Sequence, residues 1–214
     1  MGSTSHILTY SKSFPTILSA SEVDKQLRHD SHTHLVTAVT SIANNSIVAS
    51  GDEGSNIHIW EFNSNLLLSR IKCNIPGGPL KLSFSDNERF LAGLFLEKNS
   101  YYICLFDIHQ ARELSTVCLG MGNIRSIMFK KKLDIVSLGE NHLVLWKYVH
   151  GNLAGDSIPL HKFSGDLYCQ AMNKLDMIIG TGQGKIQVLR EQLHSDKQLG
   201  SPTEKVLCLA VSNL

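Results

Sequence analysis

The chain has 214 residues, of which 43% are hydrophobic, and it is therefore long enough to bury one sizeable core. Its 20 Lys and Arg residues nearly balance its 19 Asp and Glu residues. This excludes the broad basic surface that binds duplex nucleic acid or acidic lipid. No run of 18 apolar residues occurs, and Met1–Thr16 lacks a basic start followed by an apolar stretch, so neither a transmembrane helix nor a signal peptide is expected.

The first 30 residues contain three short segments with the composition of β-strands. They are His6–Tyr10, Thr16–Ala20 and Val23–His29. We interpret them as the second, third and fourth strands of a sheet whose first strand is missing.

Three imidazoles follow within six residues, at His29, His32 and His34, with Asp30 among them. Such a set could hold a zinc ion. The alternative is an ordinary loop that leads into the next strand, and we favour it. No metal or cofactor is therefore predicted.

The stretch from Ile47 to Asn63 reads as a strand, a tight turn and a second strand. Glycines at Gly51 and Gly54 allow the chain to reverse. In the second strand one alternating set is Ile57, Ile59 and Glu61, and the other is His58, Trp60 and Phe62. This period of two, with large side chains in both sets, predicts a strand packed on both faces.

The same pattern recurs with its last large apolar residue at Trp60, Phe106, Trp146 and Leu189, at spacings of 46, 40 and 43 residues. Turn glycines accompany it at Gly51, Gly139 and Gly182. A repeat of about 40–45 residues is typical of a β-propeller built from four-stranded blades. We therefore predict an all-β fold of about four antiparallel blades in a single domain.

The predicted blades cover 31–74, 75–119, 120–164 and 165–204, with a partial blade at 1–30 and a lone first strand at 205–214, over Val206–Val211. The third blade is expected to end with the strand Ile158–Phe163 after a polar loop, Gly151–Pro159. Either the terminal strands combine into a fifth, composite blade, or the chain is part of a larger propeller. We favour the second arrangement.

Five cysteines occur, an odd number without close pairs, and all fall in predicted strands. They are Cys73, Cys104, Cys118, Cys169 and Cys208. This pattern is typical of reduced, buried thiols in an intracellular protein.

Two further motifs have plain structural interpretations. Gly180–Lys185 is glycine-rich, but a strand and not a helix follows Lys185, so we expect a turn and not a phosphate-binding loop. Lys130, Lys131 and Lys132 are predicted to form a solvated hairpin tip, with contact to an acidic protein surface as the alternative. No catalytic motif is found, and no enzyme activity is expected.

The repeated segments, with Phe129 to Trp146 the clearest, resemble WD repeats, and more narrowly those of EMAP-like and cilia- and flagella-associated WD-repeat proteins. Ser31-His32 occupies the place of the Gly-His pair of that family. The Trp-Asp ending is replaced in every repeat, most clearly by Trp60-Glu61 and Trp146-Lys147. We therefore expect the buried His–Asp–Ser/Thr–Trp network of the family to be mostly absent.

The resemblance implies a non-catalytic scaffold that binds protein partners, with tubulin or axonemal proteins as the expected ones and a location in the cytoplasm, the cytoskeleton or a cilium. The alternative is a WD adaptor in another intracellular complex, one concerned with RNA processing or ubiquitin, and a propeller hydrolase is less favoured. Neither nucleic acid nor a membrane is an expected partner. Self-association is expected if the propeller is open.

Overall fold

A computed structural model describes residues 6–11, 14–19, 26–28, 31–42, 47–163, 166–173, 176–190, 193–198 and 205–206. These segments form strands, turns and one short 3-10 helix. Within them, no helix has the length and apolar character needed to cross a membrane.

The strands form one three-stranded and four four-stranded sheets, all antiparallel. The N-terminal sheet contains β1 (His6–Ser11), β2 (Phe14–Ser19) and β3 (Gln26–Arg28). Blade one contains β4 (Val36–Ser41), β5 (Ile47–Asp52), β6 (Asn56–Glu61) and β7 (Leu67–Lys72). Blade two contains β8 (Pro79–Phe84), β9 (Phe90–Glu97), β10 (Ser100–Asp107) and β11 (Arg112–Gly120).

Blade three contains β12 (Ile124–Lys131), β13 (Asp134–Gly139), β14 (His142–Val149) and β15 (Asn152–Ser157). Blade four contains β16 (Leu167–Asn173), β17 (Asp176–Thr181), β18 (Lys185–Arg190) and β19 (Leu193–Gln198). In each blade, successive strands lie side by side. The first strands of neighbouring blades, β4, β8, β12 and β16, adjoin one another, and β1 adjoins β4.

The core lies between the blades, because each sheet must cover both faces of its two middle strands. Every residue of β5 after Ile47 is buried, and three hydrophobic clusters join successive blades. Ile57 and Phe95 belong to the cluster between blades one and two, and Leu105 and Trp146 to the next. Apolar burial of this kind contributes about 25 cal/mol per Å² of area removed from water.

The prediction of a strand at Ile158–Phe163 is wrong, because Leu160–Lys162 form the 3-10 helix there. The prediction of a polar loop at Gly151–Pro159 is also wrong, because Asn152–Ser157 is a strand. The fourth strand of blade three is β15, which follows β14 through a tight turn. His150 and Gly151 have φ values of 50° and 86° there, which is the backbone of a two-residue hairpin. The segment looked like a loop because β15 is an outer strand with mostly exposed side chains.

The two ends of the chain bear on the composite-blade question. The N-terminal sheet has the three strands expected of it. The predicted strand Val206–Val211 lies outside the described residues except for Val206, whose N–H donates to the Thr181 carbonyl at 3.1 Å. Val206 approaches Gly180 as Pro79 of blade two approaches Gly51 of blade one. Val206 therefore stands where the first strand of another blade would begin.

Of the five cysteines, Cys73, Cys104 and Cys169 are buried and free of disulfide bonds. Cys118 is exposed, so the expectation that all five are buried is wrong. It lies on the outer strand β11, where alternate side chains point to solvent. Cys208 lies outside the described residues.

Trp146 provides a test of the packing between blades two and three. Its side chain is buried in their shared cluster, and Gly155 on β15 leaves room for its ring. We expect Trp146→Ala to lower the free energy of unfolding by about 3–5 kcal/mol in chemical denaturation. Val149→Ala, at an exposed position of the same strand, is the control and should change it by less than about 0.5 kcal/mol. A loss below about 1 kcal/mol for Trp146→Ala would contradict its role in the core.

Candidate functional site

A network of side-chain hydrogen bonds lies at the end of blade one where β4 begins. The Trp60 indole N–H donates to Ser50 Oγ at 3.1 Å, and Ser50 Oγ lies 2.7 Å from His32 Nε2. His32 Nδ1 lies 2.7 Å from Asp52 Oδ2. One assignment of protons satisfies every step: Ser50 donates to His32, and the His32 Nδ1–H donates to Asp52. Asn56 donates to Asp52 from its backbone and its side-chain amide.

Ser50, His32 and Asp52 have the connectivity of a hydrolytic triad, but their surroundings give them a structural role. Ser50 and Trp60 have no exposed surface, and the Ser50 oxygen already accepts the Trp60 N–H. A nucleophile must reach an acyl carbon, and here the indole covers it. The set therefore holds the entry loop, β5 and β6 together.

The expectation that this network is mostly absent is wrong for blade one, where it is complete. The aspartate that completes it is Asp52, the last residue of β5, and not the residue after Trp60. The replacement of that residue by Glu61 therefore leaves the network intact. All four residues of the network are visible in the sequence, in Ser31-His32, Ser50-Gly51-Asp52 and Trp60. The expectation of a missing network came from the aspartate that Glu61 replaces.

Blade three keeps half of the network and replaces the rest. The Trp146 indole donates to Ser137 Oγ at 2.7 Å, and Ser137 lies 2.7 Å from His142 Nε2. His142 stands at the first position of β14, so it substitutes for a histidine of the entry loop. Gly139 takes the place of Asp52, because the Asn123 carbonyl comes within 2.2 Å of where its Cβ would be.

Blades two and four fill the same positions differently. In blade two, Gly93 replaces the serine, and its missing side chain makes room for Phe95 and Phe106, whose rings meet edge to face at 6.4 Å. In blade four, Leu189 takes the tryptophan position, and the Thr181 hydroxyl accepts the Lys185 N–H at 3.2 Å as Asp52 accepts that of Asn56.

Burial controls the ionisation of these groups. Burial lowers the pKa of His32 although Asp52 opposes this, and burial also lowers the pKa of His142. For Asp52, burial raises the pKa, but hydrogen bonds from His32 and Asn56 outweigh burial and leave it below its ordinary value. Both histidines are therefore neutral near pH 7, and Asp52 is ionised.

The second feature is a rim on what we call the upper face. This face carries the loops that lead into β4, β8, β12 and β16, together with the turns between the second and third strands. Arg125 lies over the Tyr168 ring, 3.9 Å from its centre, and donates to the Leu167 carbonyl at 2.8 Å. Lys205 lies 5.2 Å from the same ring. The ring of half-buried Tyr168 therefore has two cations over it.

A shallow pocket of about 290 Å³ adjoins this ring. It is lined by Asp166, Tyr168, Gly182, Gln183 and Lys205. Met121 is 84% exposed in the loop before β12, on the same face. Aromatic, amide, acidic and basic groups thus share one rim. No sequence motif indicated this rim, because its members come from separate loops.

The structure scatters the other predicted site residues. Gly51, Gly139 and Gly182 occupy three successive positions of the repeat and not one. Gly182 belongs to the turn after β17, so Gly180–Lys185 is a strand end and a turn, as expected. Lys130–Lys132 form the tip between β12 and β13 on the opposite, lower face, where Lys131 and Lys132 are exposed.

Comparison with solved structures identifies the architecture. The Cps50 (Swd1) β-propeller domain of Myceliophteria thermophila aligns with a TM-score of 0.66 at 12% identity over 80% of this chain. The RRP9 WD40 repeats align with a TM-score of 0.64 at 14% identity over 95% of this chain. U3-55K aligns with a TM-score of 0.63 at 15% identity over 83% of this chain. The chain has the WD40 β-propeller fold. It spans 59% of Swd1, 55% of U3-55K and 59% of RRP9.

The chain shares its fold with these propellers, and sequence identities of 12–15% establish no similarity of function. No protein-family profile and no curated protein matches the sequence.

The buried histidines make a prediction about pH. Both pKa values lie below the ordinary 6.5, so the unfolded chain takes up protons before the folded chain does. The two histidines therefore lower the free energy of unfolding as the pH falls from about 6.5 to their lowered pKa values, and they do not change it above that range. We expect His142→Asn to lessen this decrease in denaturation measured from pH 7.5 to 5. The same pH dependence in the wild type and in both His142→Asn and His32→Gln would contradict the assignment.

Proposed function

We propose that this propeller is a non-catalytic protein-interaction scaffold that binds an extended segment of a partner on its upper face. The observation that carries the proposal is the Tyr168 rim, where Arg125 and Lys205 both lie over one aromatic ring beside an open pocket. Aromatic and arginine side chains are the groups that most often dominate binding at protein interfaces.

The pocket has the size and polarity for a side chain of a partner. Enclosed sites for small molecules are usually about 300–1,000 Å³ and mostly apolar, whereas this one is open, about 290 Å³ and lined by Asp166, Gln183 and Lys205. Arg125 is held in place by the Leu167 carbonyl and lies 3.5 Å from Glu140. A rigid cation over an aromatic ring needs little ordering when a partner binds.

The partner class that we propose in more detail is cytoskeletal. The resemblance of Phe129 to Trp146 to EMAP-like and cilia- and flagella-associated repeats supports it, together with a location in the cytoplasm or at the axoneme. The exposed lysine tip at Lys130–Lys132 supports an additional contact between the lower face and an acidic surface such as a tubulin tail. Such a contact would weaken as ionic strength rises.

The test of the scaffold is quantitative capture of partners with variants of the two faces. We expect Tyr168→Ala, and Lys205→Glu, to weaken binding of the main captured partner about tenfold or more, since a central aromatic contact typically contributes 2 kcal/mol or more. Asp86→Lys, at an exposed position of the turn between β8 and β9 on the lower face, is the control and should leave binding unchanged. Equal binding by wild type and Tyr168→Ala would contradict the upper-face site.

Microtubule co-sedimentation tests the cytoskeletal proposal separately. We expect the chain to pellet with microtubules at low salt and Lys130→Glu/Lys132→Glu to pellet less. If nothing pellets at any salt concentration while capture recovers another intracellular complex, the chain is an adaptor of that complex. Hydrolysis of generic ester or phosphate substrates by the purified chain would contradict the non-catalytic proposal.

A further inference from the structure

Two buried thiols and one carboxylate converge between the outer parts of blades one and two. Cys73 follows β7, Cys104 lies in the middle of β10, and Glu113 lies on β11. The two sulfurs are 3.9 Å apart, and the Cys73 sulfur is 3.9 Å from Glu113 Oε2. One donor atom of each residue lies within 4.8 Å of those of the other two.

We propose that Cys73, Cys104 and Glu113 form a binding site for a thiophilic divalent cation of the zinc class. Thiolate and carboxylate are both ligands of zinc in proteins. Two sulfurs at about 2.3 Å from a tetrahedral zinc ion stand about 3.8 Å apart, which matches the observed 3.9 Å. The donors therefore need little movement to surround an ion.

The surroundings are those of a coordination site more than of ordinary core packing. Cys73 and Cys104 belong to an apolar cluster with Ile71, Phe106 and Ile108. A carboxylate that faces two sulfurs in such a place costs free energy unless protons or a cation lie between them. A cation that replaces the two thiol protons would satisfy all three groups at once.

Neighbouring groups contact the proposed ligands and orient them. The Ile75 backbone N–H donates to the Cys73 sulfur at 3.5 Å. The Thr116 hydroxyl lies 3.1 Å from the Cys104 sulfur and 2.5 Å from Glu113 Oε1. Such outer partners typically hold metal ligands in place.

Glu113 is half-buried, so it forms the solvent-facing side of the site. Three protein ligands leave a fourth position open, which a water molecule or the Thr116 hydroxyl can fill. Binding would join β7 of one blade to β10 and β11 of the next. The cation would therefore stabilise the contact between blades one and two.

The experiment uses the reduced full chain, with Zn²⁺ titrated against a chromophoric chelator and Co²⁺ as the spectroscopic probe. We expect one equivalent of Zn²⁺, a thiolate-to-Co²⁺ absorption band and a higher melting temperature with Zn²⁺. Cys104→Ser should abolish the band, and Glu113→Gln should weaken zinc binding at least about tenfold. Because Cys104→Ser changes the core, Glu113→Gln at the half-exposed position keeps the test independent of folding.

The controls are Cys118→Ser, on the same strand as Glu113, and Cys169→Ser, in blade four. Both should bind Zn²⁺ as the wild type does. A wild-type chain that takes up no Zn²⁺ at micromolar concentration would overturn the proposal, and so would equal losses in Cys118→Ser and Glu113→Gln. A Cys73–Cys104 disulfide that forms under mild oxidation whether or not Zn²⁺ is present would overturn it as well.

Discussion

The hydrogen bonds from Trp60 through Ser50 and His32 to Asp52 are the interaction on which blade one depends. Both faces of β5 and β6 are covered by neighbouring sheets, so a polar side chain between them must find its partner inside the blade. Four side chains satisfy one another there, one from the entry loop, two from β5 and one from β6. Removing any one would leave a buried donor or acceptor unpaired, which typically costs about 1–3 kcal/mol.

The other blades have different residues at the positions of this network, and each pairs or removes the buried polar groups in another way. Blade three keeps Ser137 and Trp146 and recruits His142 from a strand. Blade two removes the polar group and packs Phe95 against Phe106 in the space that Gly93 leaves. These exchanges keep the four-stranded blade while the residues at these positions differ from blade to blade.

How much could be predicted from sequence follows from the range of the forces involved. The strands of the repeat and its period were visible because alternation and turn glycines are local. The strand β15 was not, because an exposed outer strand has the composition of a loop and its start depends on the backbone of His150 and Gly151. The complete network was not predicted because Asp52 lies eight residues before Trp60, whereas the Trp-Asp ending places the expected aspartate at Glu61.

The candidate sites depended still more on the fold. Arg125, Tyr168 and Lys205 are separated by about 40 residues each, and Cys73 and Cys104 by 31, so no motif joins them. Only the side-by-side packing of blades brings such positions together. The Lys130–Lys132 tip, in contrast, is one local run whose place on a hairpin was visible in the sequence, although its partner remains a proposal.

The hydrogen-bond network of blade one is tested most directly by the protonation of His32 in the folded chain. Long-range ¹H–¹⁵N correlations of the imidazole rings report this protonation, and exchange of the tryptophan indole protons reports the other end of the network. We predict a neutral His32 ring with its proton on Nδ1 at pH 7, and slowly exchanging indole protons for Trp60 and Trp146. A rapidly exchanging Trp60 indole, or a His32 ring protonated on Nε2 alone, would contradict it.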